Sequence, residues 1–264
     1  TVGYSANALG GAGGPLAVLI IAIVASELGK AVSKETRVDI LVTPLVTIFS
    51  GVGLSMLIAA PIGAAASQVG TLIMWATEQA PLVMGILVSV IVGVALTLPI
   101  SSAAICAALG LTGLAGGAAV AGCCAQMIGF AVMSYKENGV GGLVSQGLGT
   151  SMLQMGNIVK NPRIWIAPTL ASAITGPLAT CVFHFEMNGA AVSSGMGTCG
   201  LVGQIGVYTG WVSDIAAGTK AAITPMDWAA MVLLCFVLPA VLSVIFCEIE
   251  RKLGWIKEGD LKLN

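Results

Sequence analysis

Residues 113–133 read GLAGGAAVAGCCAQMIGFAVM, an uncharged run in which Gln126 is the one strongly polar side chain. Its length matches the roughly 20 residues that a helix needs to cross the hydrocarbon core of a bilayer. The Gly and Ala packed around Cys123, Cys124 and Gln126 keep its surface narrow, which permits close approach of neighbouring helices. The stretch reads as a transmembrane helix packed against others.

The rest of the chain repeats this pattern. Of its 264 residues 57% are hydrophobic and 9% charged, and the mean hydropathy is +0.98, so a water-soluble fold would have too little polar surface to cover itself. The apolar residues arrive in runs of roughly 17 to 25, whereas barrel strands would show short alternating patterns. The fold class is therefore all-α: a polytopic helical membrane protein with broken helices and re-entrant loops, its main partner the lipid bilayer. Eleven Lys and Arg scattered among 12 acidic residues give a net charge of -1. That balance excludes a nucleic-acid partner, because phosphate binding needs a concentrated basic surface. Cys106, Cys123, Cys124, Cys181, Cys199, Cys235 and Cys247 lie mostly inside apolar runs without CxxC spacing and read as small hydrophobic packers.

From the N-terminus, the chain opens on Thr1 without a basic region and signal core, and further membrane segments are expected upstream. A first apolar run, Pro15 to Ser26, stops at Glu27 and Lys30, and a connecting loop carries Lys34, Glu35 and Arg37. A second run, Ile40 to Ala60, contains Pro44 and ends at Pro61, with an interfacial or tilted helix expected from there to Thr77. A third, Pro81 to Leu98, is broken by Pro99, Ser101 and Ser102, a break that lets backbone groups face a cavity. Ser101 and Ser102 read as caps of the following helix. After Met133 a polar turn, Tyr135 to Asn138, leads into an amphipathic stretch from Val140 to Lys160, which could lie flat in the interface. Apolar runs from Ile164 to Phe185 and from Trp228 to Phe246 follow. The basic tail with Arg251, Lys252, Lys257 and Lys262 places the C-terminus in the cytoplasm, and the loops with Lys30, Lys34 and Arg37 and with Lys160 and Arg163 are expected on the same side.

The chemistry concentrates in Cys181-Val-Phe-His184-Phe-Glu186-Met-Asn188, which sets the one histidine and a carboxylate at the end of an apolar run. Ionisable groups at membrane depth are costly and are kept when they pair, bind something or carry protons, so His184 and Glu186 are ligand candidates. Glu186 at the water boundary and His184 as a satisfied interfacial residue are the competing readings. Two residues apart on a helix they would not share a face, so a shared site requires extended or broken backbone here. Downstream, residues 193–200 (SSGMGTCG) contain a literal GxGxxG, but no strand precedes it and nothing suggests a βαβ unit. A re-entrant loop explains it better. Gly195 and Gly197 would let backbone groups approach a substrate closely, and a short helix after Gly200 would aim its N-terminus at a polar ligand. Thr198, Gln204, Asn188 and the loop backbone would supply the donors and acceptors that a polyol needs. A tight helix crossing remains the alternative for this segment. One histidine and buried cysteines offer no tetrahedral metal set, and no serine elbow is present. No catalytic residue, metal or cofactor is assigned.

Five stretches carry a family resemblance: residues 97–105 (TLPISSAAI), 122–132 (GCCAQMIGFAV), 161–180 (NPRIWIAPTLASAITGPLAT), 193–206 (SSGMGTCGLVGQIG) and 254–263 (GWIKEGDLKL). Over essentially the whole chain they resemble the IIC-like membrane proteins of the phosphoenolpyruvate-dependent sugar phosphotransferase system, in the branch that includes perfringolysin-regulator-like proteins. The resemblance implies one IIC-like domain over residues 1–264 with a cytoplasmic tail at 248–264, in a bacterial cytoplasmic (inner) membrane and as a homodimer. It also implies a substrate site near re-entrant loops, which points at Glu186, His184 and the Asn161-Pro162 loop, with Asn188, Thr198, Gly195, Gly197 and Gln126 as further candidates. Separate IIB and IIA phosphocarriers are the implied partners. The chain shows no IIA or IIB segment of its own, so it would not phosphorylate a sugar alone. The expected function is transport of a sugar or similar small polar solute; the alternative is a membrane sensor that keeps the permease fold and reports ligand through its tail.

Overall fold

Long apolar runs separated by Gly- and Pro-bearing breaks produce helices of unequal length. The computed structural model describes residues 14–33 and 39–263. Its helices are α1 (Gly14–Val32), α2 (Asp39–Gln79), α3 (Pro81–Thr97), α4 (Ser102–Leu109), α5 (Gly113–Met133), α6 (Tyr135–Val144), α7 (Met155–Lys160), α8 (Pro162–Val182), α9 (Val202–Ala216) and α10 (Pro225–Lys252). Among the described residues the one β feature is an isolated antiparallel bridge between Gly113 and Met187. Four of these helices, α2, α5, α8 and α10, are long and apolar enough to cross a membrane, and α3 is a shorter apolar helix. The chain is thus an all-helical membrane protein, as its composition requires.

Some boundaries differ from expectation. Pro61 does not end α2, which passes through Pro44 and Pro61 and continues to Gln79 in place of a separate interfacial segment. A helix in lipid tolerates proline where other groups satisfy the freed carbonyls. Lys34, Glu35 and Arg37 of the expected loop, and Thr1, lie outside the described residues.

The chain divides into two compact units, Thr1–Thr71 with Ala107–Leu109, and Leu72–Cys106 with Gly110–Asn264. In the first, Ala17 and Ile21 of α1 pack with Ala59, Leu54, Ile58 and Ile62 of α2. Within the second, α3, α5 and α8 meet almost backbone to backbone. A Cβ added at Gly122 would lie 2.0 Å from the carbonyl oxygen of Ser89, and one at Gly176 would lie 2.2 Å from that of Gly85. Ser89 Oγ donates to Ser172 O at 2.8 Å and Thr180 Oγ1 to Pro81 O at 2.7 Å, so small hydroxyl residues also tie these helices together. Lipid tails are as apolar as Leu, so packing and polar contacts of this kind, rather than a hydrophobic drive, hold such helices.

Two hairpins enter the second unit from its opposite ends. The first leaves the end marked by Gly113, whose amide and carbonyl pair with Met187 at 3.0 Å. It descends past Ser194, which donates to Leu111 O at 2.6 Å, and reaches Gly197, packed on the backbone of Cys123 and Cys124. Positive φ at Gly197, Gly200 and Leu201 reverses the chain, and α9 returns to the starting end, where Gly210 packs on Asn188 and Gly189. Residues 189–216 are therefore a re-entrant hairpin. The stretch expected to lie flat in the interface forms the second. After a kink at Gly139 (φ 59°), α6 gives way to a widened turn at Ser145–Gly149, and α7 leads back out. Its polar residues Gln146, Ser151 and Gln154 are buried inside the protein rather than facing headgroups. The hairpins touch where Thr198 Oγ1 donates to Gly147 O at 2.5 Å. Tyr135 to Asn138, expected as a turn, begins α6; the turn is at Ser134.

The tail does not hang free. Residues 253–263 fold back on the second hairpin, burying Ile256 and Leu261 against Phe130, Met133, Ile158 and Ile164.

Candidate functional site

Helix α8 ends in a widened turn at Leu178–Val182, and His184 then adopts φ 44°, a left-handed conformation that is unusual for a side chain of its size. This single residue diverts the chain from helix into extended backbone. Beyond it side chains alternate: Phe185 and Met187 are buried in the core, while His184, Glu186 and Asn188 face the opposite way. The backbone break that a shared site demands is present.

His184, Glu186 and Asn188 line a cavity of about 440 Å³ that also receives Trp211 and Asp214 from α9, Lys220 from the following loop and Asp227 from the start of α10. Asn188 Nδ2 donates to Glu186 Oε2 at 3.1 Å and to Asp214 Oδ2 at 2.8 Å, so one amide holds two carboxylates side by side. Lys220 Nζ pairs with Asp227 Oδ1 at 2.8 Å and lies 5.8 Å from the centre of the Trp211 ring. Asp227 is itself fixed by a reciprocal cap with Thr224 at the head of α10. Trp228 supports the wall, its ring 5.6 Å from Trp211 in an edge-on arrangement. Three carboxylates against one ammonium leave the lining negative.

The remaining candidates lie elsewhere. Gly195 packs on the carbonyl of Ser102, whose Oγ donates to Gly195 O at 2.6 Å, and Ser101 Oγ caps α4 by accepting from Ala104 N at 3.1 Å. Gly197 and Thr198 form the tip of the first hairpin, with Thr198 fully buried. Gln126 is buried between helices, accepting from Trp165 Nε1 at 3.0 Å and Thr97 Oγ1 at 3.3 Å and donating to Thr169 Oγ1 at 3.3 Å. Asn161 sits at the far end of the bundle, where its Nδ2 donates to Trp255 O and Asp260 Oδ2, each at 2.9 Å. Gln204, about two helical turns before Trp211 on α9, has a buried Oε1 with no partner among the described residues, an acceptor that a hydroxyl could use.

Asp214, Lys220 and Asp227 were not singled out from sequence. The available signal is that they are the only charged residues between Glu186 and Glu248. Among the described residues no group of His, Cys, Asp or Glu is arranged to hold a metal ion.

A helical bundle with two opposed re-entrant hairpins and a polar cavity at the mouth of one of them is the frame of a transporter. The profile of the family described as "Phosphotransferase system, EIIC" matches residues 2–263. The chain belongs to that family. As an EIIC protein it is a membrane-embedded permease component of the phosphotransferase system, working with phosphocarrier components. Neither a curated protein nor a solved structure matches this EIIC chain.

Proposed function

We propose that this EIIC chain takes up a small polar solute, a sugar by preference, at the cavity formed by Glu186, His184, Asn188, Asp214 and Trp211. The observation that carries the proposal is the paired carboxylates of Glu186 and Asp214, clamped by Asn188 beside an aromatic wall. Carboxylates accept hydrogen bonds from hydroxyls, His184 adds a second polar group, and the face of an indole suits the apolar face of a sugar ring. The volume falls within the range of small-molecule sites.

The cavity opens on the external side in this reading. Of the Lys and Arg in the second unit, Lys136, Lys160, Arg163, Arg251, Lys252, Lys257 and Lys262 belong to the end that carries the tail, and Lys220 alone to the cavity end. Short basic loops stay cytoplasmic, which supports a cytoplasmic C-terminus. Solute from outside would enter at Glu186 and meet the barrier made by the hairpin tips, Thr198 against Gly147. Thr198, Gly195, Gly197 and Gln204 then act as gate and inner lining, Gln126 braces the helices behind them, and Asn161 secures the tail. A homodimer in a bacterial cytoplasmic membrane, served by separate IIB and IIA carriers, completes the proposal.

A sensor that binds solute without moving it is the second reading, favoured by the docking of the tail on the second hairpin, which would link the bundle to a partner. Titrating sugars against purified full-length protein tests the site. Glu186→Gln keeps the shape and loses the charge, so affinity should fall about tenfold with melting temperature nearly unchanged. Equal affinity in wild type and variant would sink the assignment.

A further inference from the structure

The polar side chains of the second hairpin are arranged as a peptide-recognition groove, and the chain's own residues 255–263 fill it. Asn138 reads the tail from both sides, donating from Nδ2 to Leu261 O at 2.8 Å and accepting from Leu263 N at 2.8 Å. Gln154 Nε2 donates to Leu261 O at 3.0 Å, and Asn157 Nδ2 to Lys262 O at 3.0 Å. Glu137 accepts Leu261 N at 2.8 Å and holds Arg251 at 2.9 Å in the least exposed ion pair among the described residues. At the near end Asn161 donates to Trp255 O, and Arg163 lies 5.6 Å from the Trp255 ring centre. Side chains of one segment thus bind the main chain of another, as in recognition of a peptide ligand. Left-handed glycines at Gly254 and Gly259 turn the tail into the groove, and Ile256 and Leu261 are its two buried apolar anchors. Two anchors set against the ordering cost of the whole segment make an attachment that can open.

The same side chains continue toward the gate. Gln154 Nε2 also donates to Gln146 Oε1 at 2.9 Å, and Gln146 Nε2 donates to Ser134 Oγ at 2.7 Å and Gly142 O at 3.1 Å, which fixes the start of the turn that contains Gly147. Gly147 O then receives Thr198 of the first hairpin. Hydrogen bonds therefore run from Leu261 O through Gln154 to Gln146, and the next residue along the backbone, Gly147, makes the contact between the tips. We propose that residues 253–263 are a strap whose docking holds the second hairpin against the first, so that release of the strap loosens the Thr198–Gly147 contact. The inference rests on reading the hairpin tips as the transport barrier, and it gives that barrier a control at the cytoplasmic end.

Hydrogen exchange on the full-length protein in lipid nanodiscs, with no solute added, tests it. In Leu261→Ser the strap loses its main anchor, and exchange should rise about tenfold in residues 145–150 and 196–201 while 113–133 and 162–182 keep their protection. Should Leu261→Ser unfold the bundle, seen as lost protection at 113–133, Asn161→Ala opens the near end of the strap and should raise exchange at 255–263 and 145–150 together. Coupling is reciprocal, so Thr198→Val should in turn raise exchange at 255–263. A strap that exchanges freely while both tips stay as protected as in wild type would overturn the proposal, as would Thr198→Val tips that open over an unaltered strap. Because no solute enters the experiment, failure here is separate from failure of the Glu186 assignment.

Discussion

Asn188 occupies a position that its neighbours make demanding. Its amide carries both Glu186 and Asp214, two like charges that would separate without a donor between them. Asn188→Ala should therefore weaken sugar binding about as much as Glu186→Gln, by roughly tenfold, with little effect on melting because the site is only partly buried. Isothermal titration of the two variants checks this. The negative lining also predicts that a neutral sugar binds more tightly than its phosphorylated form, since the one ammonium, Lys220, is already paired with Asp227. Displacement measurements with such a pair of ligands would show it, and tighter binding of the anion would contradict it. At this scale the sequence is partly legible. A histidine and a carboxylate at the end of an apolar run stand out, because charge near lipid is expensive. Asp214, Lys220 and Asp227 do not stand out, because each alone reads as a solvated loop charge or a helix cap. Only the return of α9 brings them to Glu186.

Helices and hairpins are held by fit rather than by charge. At Gly122 a side chain has nowhere to go, with the carbonyl oxygen of Ser89 2.0 Å from the place of a Cβ and backbone cannot move aside cheaply. Gly122→Val should destabilise the α3–α5 contact by about 1–3 kcal/mol, read as a lower melting temperature in detergent, whereas the same change at Gly156, where a Cβ meets nothing within 4 Å, should be nearly silent. The Gly- and Ala-rich composition of α5 announces such packing, and the break at Pro99 and the glycines after Asn188 announce interrupted structure. What composition hides is direction. Residues 140–160 have the amphipathic pattern of an interfacial helix, yet Gln146, Ser151 and Gln154 find their partners in the protein and the segment turns inward. A polar stripe specifies a polar neighbour, and both headgroups and a folded-back tail answer that description. Proline likewise gives an ambiguous signal in α2, where the helix runs through it.

For the second unit the proposed orientation, with the cavity outside and the strap inside, follows from the distribution of basic residues. Cys181, exposed beside the cavity at the end of α8, offers a direct reading. A membrane-impermeant maleimide should label it in intact cells, and a Lys257→Cys variant that also carries Cys181→Ser should be labelled only after permeabilisation; the reverse pattern would invert the topology. The family match fixes the broad role, a permease component acting with phosphocarriers, while the solute and the act of transport belong to the proposal. The most direct test is uptake of radiolabelled sugars into proteoliposomes containing the full-length chain, with and without purified carrier proteins, for wild type and Glu186→Gln. The account predicts that a sugar bound by the wild type is accumulated or equilibrated across the bilayer and that Glu186→Gln slows this at limiting sugar concentration. A sugar that binds at Glu186 and never crosses under either condition would contradict transport and leave a sensor in its place.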